Sequence, residues 1–586
     1  MSLLQTENIV SRLKNNSAAD FYNITSECIK LGGATSILYL TKYINQCFDY
    51  IEHGVPEEDL YGVASMAFKG KGKDITDPNC HRILTVCSVL GKIKEMAMCD
   101  ICIPIQRPLK AKSQLGFTAG LMVKLANILV TEKRAVAVEE NSIVLHEFLD
   151  ASRAFDKTLR PIMMRIAYQM GLDDDKWLYW DKMHRNSKKV IKWKGSKSEQ
   201  FPEEIGVRQG GIGASEEYKN YTGGMLLTLE SLAGQDTLAG HPASVLAVAD
   251  DTAASSIGKH PREVISIMQV LLYSTQTDGE LLHTDFGADK CQLLISARTH
   301  KMRKTFKILE DEPGILTFYD SPVTVVKPGD YYLHLGVPQA PIHQSKIAVD
   351  YRIQKGMDKF FSLQNTTQNV LKGVSPMTNK CIVSSYLIPG FTYGLDTLHI
   401  NPTDLDRLET KFRSTIRSMQ SLSPSVASPI IYLMMGCPPA IMDRDIQIMR
   451  LVGQTAISSR DIQDVSDIIH HHLTKYDINF PGWSGVARRT AAIYGIYDPL
   501  EIMEHPWRSD RFSSYAKDII TNYWTELLKE FADSYDSLNL LDKSRLNLES
   551  PHPIWTYAGS DAINIQRTAI VSWFLFMNLQ NKPEVV

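Results

Sequence analysis

An α+β centre with helical regions on either side is the fold class this sequence predicts, and three observations carry it. Apolar runs of strand length alternate with helical patterns through the middle of the chain. Residues 1–66 carry helical spacing, and beyond about residue 340 the pattern is mostly helical again. At 586 residues the chain is too long for one core and should divide into subdomains.

The elements follow in order. Residues 1–66 read as helices, with Asp20 and Asn23 placed to cap short ones and "ATSILYLTKYINQCFDYI" spaced for a longer one. "DPNCHRILTVCSVLGKIKEMAM" starts as a strand around Ile83–Val86 and then turns helical. "SIVLHEFLD" is an apolar strand that ends at Asp150. After it, "TLRPIMMRIAYQMG" sets Leu159, Ile162, Met163, Ile166 and Met170 on one helical face, closed by Gly171. "VIKWKGSKSEQFPEEIGVRQGG" reads as a hairpin entering a glycine-rich turn at Gly206–Gly213, and "MLLTLESL" as a helix. "ASVLAVADDTAASS" reads as a second hairpin with a shorter apolar return and Asp250 and Asp251 at its bend. A helix, "HPREVISIMQVLLYSTQTDG", and a strand, "KCQLLIS", complete the centre. The later helices are separated by long connections at "NPTD" and "YDINFPGWSG".

Composition narrows the function. With 44% hydrophobic and 22% charged residues the chain is an ordinary folded protein. "MSLLQTENIVSRLKNNSAADF" lacks a signal peptide's apolar core, and no apolar run spans a bilayer, so a soluble intracellular protein without a membrane partner is expected, nuclear or cytoplasmic. Nine cysteines without regular spacing suit a reducing compartment. Cys99 and Cys102 have no second pair at zinc spacing, and His470–His472 would fan out around a helix, so no zinc site is expected. The net charge of −3 hides three basic blocks: "HRNSKKVIKWKGSK", "ARTHKMRKTFK" and "KGKGKD" from Lys69. Each alone is a solvated face; together they are compatible with a charged channel.

The acids carry the chemistry. Taken alone, Asp250 and Asp251 are either a solvated turn or a metal site. Asp150 ends a second apolar strand. If the two strands are neighbours in one sheet, the three carboxylates converge. Hard oxygen ligands of this kind suit Mg²⁺, which keeps waters and is completed by substrate phosphates. Two such ions roughly 4 Å apart activate a hydroxyl nucleophile and stabilise a leaving pyrophosphate.

Nine segments, in order, carry a resemblance: "NNSAADFYNIT", "FKGKGKDITDPNCHRILTVCSVLGKIKE", "SQLGFTAG", "FLDASRAFD", "GVRQGGIGAS", "AVADDTAAS", "DKCQLLIS", "YYLHLGVP" and "LIPGFTYGLDTLHI". The chain resembles the reverse transcriptase of non-LTR (LINE-type) retrotransposons. The resemblance implies a right-hand polymerase of fingers, palm and thumb, with an antiparallel palm sheet and a helical C-terminal region. It divides the chain into N-terminal helices and fingers (1–125), fingers and palm (126–325), primer-grip hairpin and thumb (326–440) and a helical C-terminal region (441–586). It implies an RNA-directed DNA polymerase that uses an RNA template, a DNA primer, dNTPs and Mg²⁺ or Mn²⁺. Asp150 and Asp250 would be the metal ligands with Asp251 as a third carboxylate, and Lys290 a general acid near the pyrophosphate. Lys69 and Arg82 would hold the triphosphate. Phe155 would exclude a 2′-hydroxyl, and Gln209 and Gly210 would lie against the nucleotide and template.

Each assignment has a plainer alternative on the residues alone. Phe155 is also an ordinary core ring, Lys69 and Arg82 surface cations, Gln209–Gly210 a hairpin turn, and Lys290 a strand-edge lysine. The match departs from the family pattern in three places. Val248-Ala249 stands where an aromatic is usual. "IGASEEYKNYTGG" replaces an apolar helix start, and "GFTAGLMVKLANIL" lacks arginine. The stretch before the first motif is too short for an endonuclease and the end shows no Cys/His knuckle, so a polymerase core without endonuclease is expected, as an element fragment or a host-retained gene. The alternative function is an inactive polymerase-fold protein with a nucleic-acid-binding or structural role. The oligomeric state is not legible.

Overall fold

The computed structural model describes residues 1–555 apart from 54, 71–73, 119–121, 153, 194, 209, 234–242, 288–289, 368–375, 421, 423, 459–462, 506–508, 536–537, 539–543, 545 and 554. Within them the chain is a mixed α/β protein, with two larger sheets in its first half and helices at both ends. No helix among the described residues is long and apolar enough to cross a membrane.

The first sheet holds β1 (Tyr61–Phe68), β2 (His81–Val86), β4 (Lys188–Trp193), β5 (Ser196–Lys197) and β6 (Phe201–Pro202). β2 and β4 flank β1, β2 antiparallel and β4 parallel. The second sheet is antiparallel throughout, in the order β7 (Ala243–Val248), β8 (Asp251–Gly258), β3 (Ile143–Asp150), β9 (Gln292–Ala297). β3 is interior to the sheet and buried along its whole length until Asp150, which fits its run of branched and aromatic side chains. Ile143, Leu145 and Leu149 enter one core with Leu226 and Leu229 of the Ala214–Ala233 helix and Ile265 and Met268 of the Pro261–Leu281 helix. Phe148 lies in a different cluster with Val130 of the Val123–Glu139 helix, so helices cover both faces. Both sheet edges are closed by irregular backbone. Ser113–Leu115 bonds to Ala247 on the β7 side, and Thr324–Val326 bonds to Leu293 on the β9 side.

Two small hairpins follow, β10 (Thr317–Phe318) with β11 (Ser321–Pro322) and β12 (Tyr332–His334) with β13 (Val337–Gln339). The helices beyond residue 343 share a large core that includes Phe391, Phe412, Leu433, Met449 and Trp483.

Several expectations need correction. Residues 61–66 are strand, not helix: Tyr61–Phe68 finds two partners in a sheet, and pairing overrides local spacing. Asp20 and Asn23 do not cap neighbouring helices. Asp20 accepts from Tyr22 and Ile24 within its own turn and from the Val89 N–H at the start of the Val89–Gln106 helix, while Asn23 takes a left-handed turn conformation. On the Arg160–Gln169 helix the buried stripe runs through Arg160, Met163, Met164 and Ala167, and Leu159, Ile162 and Ile166 are only half-buried. The return strand β8 is longer than β7, not shorter. "NPTD" is a helix start, with Asn401 as N-cap of Pro402–Met419. The segment "IGASEEYKNYTGG" enters one continuous helix, Ala214–Ala233, whose Glu217 sits 2.7 Å from His184. Cys99 and Cys102 are buried free thiols pushed up by that burial. Of the three histidines, His472 faces Glu132 at 2.6 Å and His470 faces Glu504 at 3.8 Å.

Candidate active site

The site begins with register. β3 and β8 run antiparallel with Asp150 directly opposite Asp251, and directly opposed residues project to the same face. Asp250 is the turn residue just before Asp251, between β7 and β8. The acids meet through the return strand. β7, which leads into the pair, is separated from β3 by β8, a correction to the direct adjacency considered from sequence. Lys290 completes the group, its Nζ 3.4 Å from Asp150 Oδ2.

The acids are crowded. Burial pushes the Asp250 carboxyl up, the charge of Asp150 adds to this, and Arg82 opposes it. Asp251 is pushed up to about 6 by burial first, then by the charges of Asp250 and Asp150. Arg82 is exposed on β2, and its charge reaches Asp250 across from the first sheet. Lys69 lies at the exposed start of the loop joining β1 to β2.

A sharp local feature holds the acid turn. Ala249 adopts φ +60°, a region that a residue with a Cβ enters at a cost of about 1 kcal/mol. Gln114 clamps it. The Oε1 of Gln114 accepts from the Ala249 N–H at 2.9 Å and from the Gly116 N–H at 2.9 Å, and its Nε2 donates to the Ala249 carbonyl at 3.2 Å. A Cβ on Gly116 would lie 2.2 Å from Ala249 N, so the approach needs glycine there. Gln114 is buried, and only its place in "SQLGFTAG" marked it in the sequence.

Phe155 lies in an aromatic group beside the acids. Its ring stacks on Tyr218 at 4.4 Å and meets Phe117 edge-on at 6.0 Å. Tyr218 is buried, and its phenol is pushed up by that burial and then by Asp250 and Asp251. This places the aromatic pair next to the carboxylates. On the other side Tyr332 of β12 stacks on Phe148 at 4.7 Å, two residues before Asp150, and Tyr332 is likewise pushed up by burial and by Asp251 and Asp150. Tyr218, Phe117 and Tyr332 were not singled out from sequence. Tyr218 stands in "IGASEEYKNYTGG", the segment that departs from the family pattern.

The glycine-rich turn is held by helical segments on several sides. Arg208 donates to the carbonyls of Asp59 and Leu60 at 2.8 Å, Glu95 accepts from Ile212 and Gly213, and Val207 N–H donates to the Phe155 carbonyl at 2.9 Å. Gly210 has φ +116°, and a Cβ there would lie 2.2 Å from the Thr85 carbonyl oxygen. The close approach at Gly210 is therefore to β2 of this chain. Gln209 lies outside the described residues.

Among the described residues, no three His, Cys, Asp or Glu side chains are gathered into a preformed metal cage. What Asp150, Asp250 and Asp251 supply is an open edge of hard oxygens whose mutual repulsion is only partly neutralised. That donor set fits a Mg²⁺ or Mn²⁺ that keeps waters and takes ligands from a substrate.

No family model matches this chain. Among solved structures it is similar to an apo telomerase from Candida tropicalis truncated from its C-terminal domain, at 10% sequence identity and a TM-score of 0.31. The likeness covers 44% of this chain and 55% of the telomerase chain, so this chain spans little more than half of that structure's length. The resemblance to LINE-type reverse transcriptases therefore stands on the motifs themselves.

Proposed function

We propose that this chain is an RNA-directed DNA polymerase of the reverse-transcriptase type, extending a DNA primer on an RNA template with dNTPs. The observation that carries the reading is the register pairing of Asp150 with Asp251, with Asp250 at the adjoining bend. Mg²⁺ or Mn²⁺ held by these carboxylates would supply activation of the primer 3′-hydroxyl and neutralisation of the leaving pyrophosphate. Lys290, beside Asp150, would give a proton to the pyrophosphate as it departs. Arg82 is the finger-side cation for the triphosphate, with Lys69 beyond it on the same hairpin. Phe155, its ring fixed by Tyr218, is the wall against which a ribose 2′-hydroxyl would clash. The primer terminus would lie against the Tyr332 hairpin.

A second reading is a catalytically silent polymerase fold that binds nucleic acid or serves a structural role. The Lys290–Asp150 ion pair favours it, because it already occupies one of the ligand oxygens. Primer extension on an RNA template with dNTPs and Mg²⁺, wild type against Asp250→Ala, separates the two. Product from wild type and none from the variant supports the polymerase; equal product, or none from either, removes it.

A further inference from the structure

At the other end of β3 the structure has a cleft of about 410 Å³ that the proposed polymerase chemistry does not use. Its wall is one face of the Val123–Glu139 helix (Thr131, Arg134, Ala135 and Val138) closed by the end of β9, the start of the Gln344–Thr367 helix and the segment Leu398–Asp404. Ser296 of β9 pairs with Val144, six residues before Asp150, so the cleft lies about 20 Å along the strand from the acids.

Three features of this cleft point to one ligand chemistry. The first is charge. Arg134, His343, Lys346 and His399 line it, and burial together with Arg489 and Arg444 disfavours a further proton on His399. The lining carboxylate is Asp404, which already accepts from Ser345 Oγ at 2.6 Å and from Arg407 at 2.7 Å. The second is the state of Arg134. Its guanidinium is oriented by Gln339 and Gln344 at 2.9 Å and by the Ala340 carbonyl at 2.5 Å, and among the described residues it forms no ion pair. A cation withdrawn from water and held by neutral dipoles alone is costly without an anion. The third is a pair of hydroxyls, Thr131 Oγ1 and Ser296 Oγ, both buried on this wall and without a hydrogen-bond partner among the described residues. Buried hydroxyls left unmatched in a native fold call for a ligand or water.

We propose that this cleft binds a phosphorylated small molecule, its phosphate against Arg134 and Lys346 with the Thr131 and Ser296 hydroxyls as further donors. The volume suits a ligand of nucleotide size, and an oriented guanidinium fork beside an exposed ammonium is the pairing that recognises a phosphate.

The test uses the full chain and tripolyphosphate as probe, by calorimetry without divalent metal. Wild type is expected to bind. Lys346→Glu, at an exposed position, should weaken binding at least tenfold, and Arg134→Lys, which keeps the charge and loses the fork, should weaken it severalfold with the melting temperature within a few degrees of wild type. Arg82→Ala should leave the component of binding that Lys346→Glu removes unchanged. No binding to wild type, or a loss that follows Arg82 and not Lys346, overturns the proposal. A single-stranded oligonucleotide lacking a terminal phosphate is the second arm. If it displaces tripolyphosphate and is itself weakened tenfold by Lys346→Glu, the site belongs to nucleic-acid backbone and the small-molecule reading falls.

Discussion

The two ends of strand β3 differ in sign. At its C-terminal end Asp150 meets Asp251 and Asp250, with Lys290 alongside and Arg82 acting from the first sheet. At its N-terminal end Val144 leads to Ser296 and a cleft lined by Arg134, Lys346, His343 and His399. Neither end balances its charge from within. In a chain whose net charge is only −3, that imbalance is local and built by placement, since the totals nearly cancel. A near-neutral composition therefore says little about what either end of one sheet can hold.

The sharpest way to separate the ends is to neutralise one and leave the other. Asp150→Asn should cut primer extension by at least about 10³-fold while Lys346→Glu changes it less than about twofold, because only the first removes charge where it develops during transfer. Comparable losses from both would break the distinction. Next in size is the turn that presents the acids. Gln114→Leu keeps the volume and removes three hydrogen bonds to Ala249 and Gly116, so extension should fall by about 10–100-fold through misplacement of Asp250 and Asp251. Ala249→Gly in that background should restore part of the activity, since glycine accepts φ +60° without the clamp. Failure of that rescue would show that Gln114 does something other than hold the turn.

A smaller effect is expected at Phe155. Phe155→Val should raise ribonucleotide incorporation relative to dNTPs by about tenfold, read as a ratio of kcat/KM values; an unchanged ratio would return Phe155 to the role of a core ring. The smallest is a stability effect behind the sheet. Lys133, next to Arg134, donates to Ser244 of β7, and burial pushes its ammonium down to about 7. Its folded value lies below the unfolded one of about 10.4, so charging it opposes folding. The penalty is full below about pH 7 and disappears as pH rises towards about 10. Lys133→Met should therefore stabilise the chain by about 1–3 kcal/mol at pH 6–7, with the gain fading steadily from about pH 7 to about pH 10, measured by denaturant melts across that range. A pH-independent gain would assign the effect to packing.

Much of the second sheet could be read directly. "SIVLHEFLD" and "ASVLAVADD" are strands because their side chains leave little else to do with so much apolar surface, and their carboxylates fall where burial ends. The ordered segments named the acids, Lys290, Arg82 and Phe155 together. What resisted reading was local signal overruled by partners. Tyr61–Phe68 took strand pairing over helical spacing, and Asp20 spent its side chain on a distant helix start instead of a near one. Tyr218 sat in a polar-looking stretch whose buried face only a complete helix reveals.

Where acids and apolar runs alternate is legible along the chain, because side-chain chemistry and spacing are properties of neighbours in sequence. Which strand lies beside which was decided by the fold: β8 stands between β7 and β3, and Asp251 is therefore the residue facing Asp150. Gln114 reaching Ala249, and Arg134 sharing a cleft with Lys346, His343 and His399, join positions far apart in the chain. Such contacts have no periodicity to announce them; they exist only once packing has fixed the distances.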